Sequence, residues 1–247
     1  MSKAVWRALS VAADREARYA YDKTSVTEEL DARGQAKDRK EKLYEVVQVG
    51  GVPHQRLVRI NSQPLPFRKL QEQDRKEQEA RREFEGEKKT AKPNDRSTVL
   101  TAELVGRFTF AVEQREMIHG RPTLRLSFTP QDGQLPVKRL ADRVINKLAG
   151  TVWMDEQESE VVRADLRLTG QVSLWGGFLG ALDTFTLSLE RSRTADGVWF
   201  NQALAVVVEG RKFLKSMRYR VREESKGFRK LGVTPAAAAA AGAGGGP

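Results

Sequence analysis

The sequence predicts an α+β protein built around an antiparallel sheet, and three features of the chain indicate this. Six short strand-like segments follow one another between Gly150 and Glu223, each ending at a turn signal. In three of these segments apolar and polar residues alternate with period two, as in a sheet with one buried and one wet face. Amphipathic helical segments also occur, at about 67–89 and 135–150.

The alternation divides each of the three strands into an apolar and a polar side. The predicted apolar side carries Val162, Ala164, Leu166, Leu168, Phe185, Leu187, Leu189, Met217, Tyr219 and Val221. The predicted polar side carries Arg163, Asp165, Arg167, Thr184, Thr186, Ser188, Glu190, Arg218, Arg220 and Arg222. A meander of this kind needs an element or a ligand against its apolar side.

The first sixty residues are predicted to form one helix and three strands. Apolar residues at helical spacing predict an amphipathic helix over Val5–Ala20. The segments that follow read as strands at Thr24–Asp31, Lys42–Val49 and Gln55–Asn61, separated by turn-forming sequences.

A charge-dense segment then interrupts the strands. Between Phe67 and Lys89, eight basic and seven acidic residues make up fifteen of 23 positions, at spacings that support a solvent-exposed helix. We expect a charged helical excursion over about 67–97. Two roles stay open for it: a partner-binding or spacer element, or a solvated helix with no specific role.

The next predicted elements lead into the meander. A short helix over Thr98–Leu104 precedes a hairpin whose arms are 106–117 and 122–130, in which Phe108 and Phe110 face one way. The segment 135–150 predicts an amphipathic helix with Gly150 as its C-cap. Residues 1–232 are expected to form one domain, and the Ala/Gly-rich residues 233–247 a disordered tail.

Charge and composition restrict the function classes. The net charge of +10 is concentrated between Arg211 and Lys230, where nine basic residues accompany two glutamates. This strand predicts either attraction to an anionic surface or a charged edge strand that resists aggregation. No apolar run approaches the ~20 residues of a transmembrane helix, there is no cysteine, and no signal peptide is visible.

The residues that carry catalysis in other proteins are scarce here. The only histidines, His54 and His119, adjoin turn residues, and no HExxH, CxxC, GxGxxG, GxxxxGK[ST] or GxSxG motif occurs. Neighbouring carboxylates such as Asp155 and Glu156 point to opposite faces of a strand. The sequence therefore predicts a non-enzymatic protein with no cofactor and no metal.

Large apolar residues cluster instead in a turn of the meander. Trp175, Phe178 and Leu179 lie between two predicted strands, where such side chains are usually exposed. Exposed apolar groups mark a binding site, the rim of a cavity or a membrane contact. The alternative is that a neighbouring helix covers them as ordinary core.

The order of elements resembles a known family. A helix, strands ending near the segment NSQPL, a helical excursion, a hairpin, another helix, and GTVWMD leading into SEVVRADLRLTG together resemble the bacterial outer-membrane lipoprotein carrier and receptor (LolA/LolB-like) superfamily. The closest motif match is Gly150, Val152, Trp153 and Asp155. The resemblance implies a curved antiparallel sheet forming an unclosed β-barrel, with helices packed on the concave face and an apolar cavity between them.

The same resemblance implies a periplasmic or otherwise exported protein that binds lipid or lipoprotein acyl chains. The alternation then predicts that the ligand-binding pocket is formed by the inward residues Phe108, Phe110, Leu166, Leu168, Phe185, Leu187, Met217 and Tyr219. The turn residues Trp175, Phe178 and Leu179 are predicted to form the lip of this pocket. Arg218, Arg220 and Arg222 are predicted to contact an anionic membrane surface.

Two other functions remain as alternatives. One is an envelope scaffold with a packed barrel, which binds a protein partner through the charged helix and the basic edge strand. The other is nucleic-acid binding, which ranks last because Tyr219 alternates to the face opposite Arg218 and Arg220 and cannot stack bases beside them.

Overall fold

The structure is a computed structural model that describes residues 19–49, 52–86, 105–174, 180–213 and 215–231. Several predictions concern residues outside these ranges: the helices over 5–18 and 98–104, the end of the charged excursion after 86, the turn that contains Trp175, Phe178 and Leu179, and the tail after 232. The predicted domain limits likewise stay a prediction.

Twelve strands and two helices lie within the described residues. The strands are β1 (Tyr19–Leu30), β2 (Ala36–Val49), β3 (Val52–Ile60), β4 (Gln63–Pro64), β5 (Phe108–Ile118), β6 (Arg121–Pro130), β7 (Leu148–Asp155), β8 (Val161–Leu168), β9 (Val172–Leu174), β10 (Gly180–Arg193), β11 (Trp199–Lys212) and β12 (Lys215–Lys230). The helices are α1 (Phe67–Gly86) and α2 (Leu140–Ile145).

All the strands belong to one antiparallel sheet. Their order is β4-β3-β2-β1-β12-β11-β10-β8-β7-β6-β5, and β9 pairs with β10. Within the described ranges β4 and β5 end this order and do not pair with each other, so the sheet does not close. The predicted α+β class with an unclosed antiparallel sheet is confirmed.

The charged helix α1 lies beside the first strands of the sheet. It contacts β2 and β3. Arg56 of β3 joins them, since its Nε donates to Asp74 of α1 at 2.8 Å and its Nη1 to Glu45 of β2 at 3.0 Å. The prediction of a solvent-exposed helix from Phe67 is confirmed, and ion pairs four residues apart, such as Glu77 with Arg81, support it.

The start of β1 corrects the predicted extent of the first helix. Tyr19 and Ala20, which the helical spacing included, are buried strand residues. Tyr19 forms a core cluster with Val198 and Phe200, and the Tyr19 and Phe200 rings meet edge to face at 5.1 Å. Burial of this ring in the sheet outweighs the local helical pattern.

The strand β12 is not at an edge, which corrects the prediction of a basic edge strand. It pairs with β11 on one side and with β1 on the other. Alternating arginines in the sequence indicate a strand with one solvent-exposed face. They do not indicate which strands pair with it on either side.

The predicted helix before the meander is shorter than its amphipathic pattern. Buried Asp142 fixes its start, because its carboxylate accepts the backbone N–H groups of Lys138 at 2.9 Å and Arg139 at 2.8 Å and pairs with Arg107 at 3.0 Å. The helix α2 ends at Ile145, and β7 begins at Leu148.

Gly150 is therefore a strand residue, and its predicted role as a helix C-cap is wrong. It lies opposite Leu166 of β8 and Phe128 of β6. A Cβ atom at this position would lie far inside contact distance of the Asp165 carbonyl oxygen and 3.0 Å from Leu166 Cα. The absence of a side chain allows β7 and β8 to approach this closely.

A buried ion pair fixes the turn after β7. Asp155 is fully buried, and its carboxylate accepts Arg121 Nε at 2.5 Å and Nη2 at 2.9 Å. The same carboxylate accepts the backbone N–H groups of Gln157 at 3.0 Å and Glu158 at 2.8 Å. This aspartate, noted in the sequence as part of GTVWMD, is a structural residue of the β7–β8 turn.

The buried carboxylates of Asp142 and Asp155 should make the stability of the protein sensitive to acid. The hydrogen bonds from Arg121 lower the pKa of Asp155, and the Arg139 backbone N–H lowers the pKa of Asp142. Above the unfolded-chain pKa of about 3.9 both states are ionised and the stabilisation is complete. As the pH falls below that value the unfolded chain binds protons first, so the free energy of unfolding drops until the folded-state groups also protonate.

We expect the urea midpoint to fall steadily between about pH 4 and pH 2. The variant Asp142→Asn, which does not titrate at this position, should show a shallower decrease over the same range. Urea unfolding at a series of pH values measures both slopes, and equal slopes would contradict the role given to Asp142.

Candidate functional site

The strand register brings predicted ligand-binding residues of three strands onto one face of the sheet. Residues directly opposite each other in an antiparallel pair point to the same face. Leu187 lies opposite Leu166 of β8 and opposite Val206 of β11, and Val208 lies opposite Tyr219 of β12. Period-two alternation adds Leu168, Phe185 and Met217 to this side, which we call the apolar face.

The apolar face continues to the far edge of the sheet. Leu166 lies opposite Gly150, Gly150 opposite Phe128, and Phe128 opposite Phe110 of the edge strand β5. The rings of Phe108, Phe110 and Phe128 pack together there, with centroids 5.2 to 6.4 Å apart. All eight of the predicted ligand-binding residues that the structure describes thus lie on one face.

These eight side chains are not packed away as a closed core. Seven of them are half-buried, and Phe110 is 42% exposed. On the same strand Val112, opposite Leu126 and thus also on the apolar face, is 67% exposed. The apolar face therefore keeps accessible surface along β5, β8, β10 and β12.

The opposite side of the sheet, which we call the charged face, is held by ion pairs. Arg163 pairs with Asp165 at 2.9 Å and also lies over the ring of Trp153, 4.7 Å from its centroid. Trp153 donates its Nε1–H to Glu116 at 2.5 Å, and Arg125 lies near its ring as well. This tryptophan, prominent in the sequence, is a buried residue of the charged face.

The predicted anion-contacting arginines of β12 also lie on the charged face, and each has a partner within the chain. Arg220 and Arg222 contact the buried carboxylate of Glu28 at 3.3 and 2.9 Å. Arg218 pairs with Glu209 at 2.9 Å and donates to the backbone carbonyl of Asp31 at 3.0 Å. A contact between these arginines and an anionic surface stays a prediction, and it would compete with these bonds.

An open cavity lies at one end of the apolar face, where β11 turns into β12. Its volume is about 450 Å³, and its lining residues are Glu29, Lys212, Phe213, Lys215, Ser216, Met217 and Tyr219. Met217 and Tyr219 are predicted ligand-binding residues. Phe213, 56% exposed with a φ of 54°, was missed because its position in the turn breaks the strand alternation.

A second cavity, of about 490 Å³, lies between α2, β9 and the loop after β6. Most of its lining residues are polar, and both of its cations are already engaged, since Lys147 donates to the Gln171 carbonyl and Arg143 to that of Ser173. None of the predicted ligand-binding residues lines it. The cavity beside β12 is therefore the one that coincides with the sequence prediction.

The two histidines lie in separate parts of the sheet. His54 lies in β3, and His119 lies in the two-residue β5–β6 turn with Gly120, where both have positive φ as a type I′ turn requires. No group of three or more histidine or acidic side chains with metal-site geometry occurs among the described residues. No helix in the described ranges is both long and apolar enough to cross a membrane.

Comparison with known proteins returns similar folds at low sequence identity. No family model and no curated protein sequence matches the chain. A domain from Vibrio parahaemolyticus assigned to outer membrane lipoprotein sorting is 12% identical with a TM-score of 0.33, covering 94% of this chain and 96% of that chain. The LolA superfamily protein NE2245 from Nitrosomonas europaea is 12% identical with a TM-score of 0.28, covering 93% and 96%.

The Pseudomonas aeruginosa MucA/MucB complex is also similar, at 10% identity and a TM-score of 0.23, covering 93% of this chain and 100% of that chain. At these TM-scores and identities, nothing about a ligand or a partner is transferred to this chain from them.

Proposed function

We propose that the protein binds acyl chains of lipids or lipoproteins on its apolar face, without catalysis. The observation that carries this proposal is that eight residues, predicted from alternation to bind the ligand, lie on a single face and remain partly accessible. The bacterial envelope is the proposed compartment, in keeping with the family that the sequence resembles.

The expected affinity follows from burial of the hydrocarbon. Each methylene group removed from water contributes about 0.8 kcal/mol, so ten of them contribute about 8 kcal/mol before the costs of association. A half-exposed face recovers only part of this value. Binding in the micromolar range, about −8 kcal/mol, would need a long chain and suits reversible carriage.

A charge placed on the apolar face should prevent binding. We expect Phe185→Glu to weaken binding of a fluorescent fatty acid at least about tenfold, because a carboxylate at this position would be desolvated by the hydrocarbon. Titration of the probe into the purified protein measures this effect. Thermal unfolding of the same samples checks that the variant is folded.

The neighbouring residue supplies a matched control. Thr186 lies on the charged face opposite Arg167, so Thr186→Glu adds the same charge one residue away and should leave binding unchanged. Phe110→Glu, at a residue 42% exposed, is the variant least able to disturb folding and should also weaken binding. Unchanged binding by folded Phe185→Glu and Phe110→Glu proteins would refute the proposal.

A protein-binding scaffold is the second candidate function. It is favoured by the edge strand β5, most of whose residues are exposed, and by the long exposed helix α1. Edge strands recognise extended peptides by adding a strand to the sheet. A wild-type protein that takes up no fluorescent fatty acid and purifies without lipid would favour this candidate.

A further inference from the structure

The hairpin that joins β11 to β12 ends in two lysines that face each other. Lys212 and Lys215 are directly opposite in the register, at the end of the rows that carry Met217 and Tyr219. Both side chains are exposed, and both line the 450 Å³ cavity. Like charges directly opposite each other in an antiparallel pair are destabilising, so this arrangement is unfavourable without an anion.

The surrounding carboxylates do not resolve this repulsion. Within the described ranges no carboxylate forms an ion pair with Lys212 or Lys215, whereas most arginines of β12 have one. Glu29 lines the same cavity, but its ion-pair partner is Lys37 of β2, at 3.9 Å. The cavity therefore carries two lysines and one glutamate that is already paired.

Apart from Ser216, the rest of the cavity lining is Phe213, Met217 and Tyr219, and it leads onto the apolar face. Met217 lies opposite Gly210, where no side chain of β11 obstructs the surface. Tyr219 lies opposite Val208, and Val208 lies opposite Phe185 of β10. A continuous apolar row thus runs from the two lysines across three strands.

We propose that Lys212 and Lys215 hold the anionic head group of a single-chain amphiphile, with its hydrocarbon passing Met217 and Tyr219 towards Phe185. This assignment rests on the proposed function, and it adds the class of ligand and the orientation of its hydrocarbon chain on the apolar face. The head group is a terminal oxyanion, a carboxylate or a phosphate, because an ammonium donates and cannot accept hydrogen bonds. Phe213, exposed between the lysines, would cover the first carbons of the chain.

The test compares two ligands that share a chain and differ in charge. By calorimetric titration, wild-type protein should bind oleate about tenfold more tightly than oleyl alcohol, a difference of about 1.4 kcal/mol. The variant Lys212→Gln/Lys215→Gln should lose this preference and bind oleate about as weakly as the alcohol. Its affinity for the alcohol should not change.

Two controls are needed. One tests whether the loss of positive charge anywhere on the protein has the same effect, and the other tests whether the head group binds without a hydrocarbon chain. The variant Lys69→Gln/Lys76→Gln removes the same net charge from exposed positions on α1 and should keep the preference for oleate. Oleyl phosphate, the phosphate monoester of oleyl alcohol, should behave as oleate does. Inorganic phosphate, which has no chain, should compete with oleate far more weakly than oleyl phosphate.

The outcomes distinguish this inference from the proposed function. Equal affinity for oleate and oleyl alcohol, or a preference retained by Lys212→Gln/Lys215→Gln, would overturn the head-group site and leave acyl binding standing. Inorganic phosphate that competes as well as oleyl phosphate would overturn it in favour of a free-anion site. If wild-type protein binds neither oleate nor the alcohol, the proposed function itself fails.

Discussion

Replacing Gly150 by alanine should lower the free energy of unfolding by about 3 kcal/mol, the upper end of the usual cost of overpacking. The added methyl group would overlap the Asp165 carbonyl oxygen and approach Leu166 Cα to 3.0 Å. Both atoms belong to the backbone of β8, so no side-chain rotation relieves the clash. The strands β7 and β8 would have to separate at the centre of their ladder.

Gly170→Ala is the matched control, since a methyl group there meets nothing within 4 Å and the turn after β8 does not require a positive φ. It should change stability by no more than about 0.5 kcal/mol. Urea unfolding followed by tryptophan fluorescence measures both variants. Equal stability of the two would show that β7 and β8 do not pair in the register described.

Removal of the buried carboxylate of Asp155 is expected to cost about 3 kcal/mol as Asp155→Ala. The substitution removes the bidentate partner of the Arg121 guanidinium, 22% exposed, and leaves it with Glu158 at the longer distance of 3.6 Å. It also deprives two backbone N–H groups of their acceptor. Breaking a buried pair from one side is costly because the remaining charge stays desolvated. Equilibrium urea unfolding at neutral pH measures the loss.

An exposed ion pair gives the comparison for Asp155. Glu224 pairs with Lys226 at 2.8 Å, but both side chains are more than half exposed, so Glu224→Ala should cost about 0.5 kcal/mol or less. Adding Arg121→Ala to Asp155→Ala should recover part of the lost stability, because it removes a half-buried charge that has lost its bidentate partner. A cost for Asp155→Ala no larger than that for Glu224→Ala would rule out the structural role of the buried pair.

The sequence could predict which side chains of each meander strand share a face, because alternation is a local pattern. In β8 and β10 the apolar residues Leu166, Leu168, Phe185 and Leu187 keep a strict period of two, and the register then places them together. Which strands become neighbours was not predictable in this way. The pairing of β1 with β12 joins residues about 200 positions apart, and no local pattern reports it.

Gly150 and the arginines of β12 show how long-range contacts override a local interpretation. Glycine after an amphipathic segment is typical of a helix C-cap, but the close approach of Leu166 and Phe128 makes Gly150 a strand residue. Arg220 and Arg222 were predicted to be available to an anionic surface. Their partner Glu28 lies 192 and 194 residues away, so the ion pairs could not be seen from sequence.

The hairpin at Phe213 shows a third reason why part of the candidate site could not be predicted from the sequence. A turn residue has no place in an alternating pattern, so neither Phe213 nor the opposed lysines Lys212 and Lys215 were singled out. A phenylalanine between two lysines, close to the predicted end of a strand at Gly210, was nevertheless a usable signal. It combines an apolar contact with two cations in a few residues.

The central place of β12 has a consequence for how the chain assembles. The strands form an amino-terminal group, β1 to β4, and a second group, β5 to β11, and among the described strands β12 is the one that pairs with both groups. During synthesis the first group emerges with one side of β1 unpaired, and about 150 further residues must be made before the neighbouring strand β12 begins at Lys215. Such delayed closure slows folding and exposes an unpaired strand to aggregation. A nascent chain that stalls before residue 215 would therefore hold two incomplete sheets, and this interval is where a chaperone would be needed.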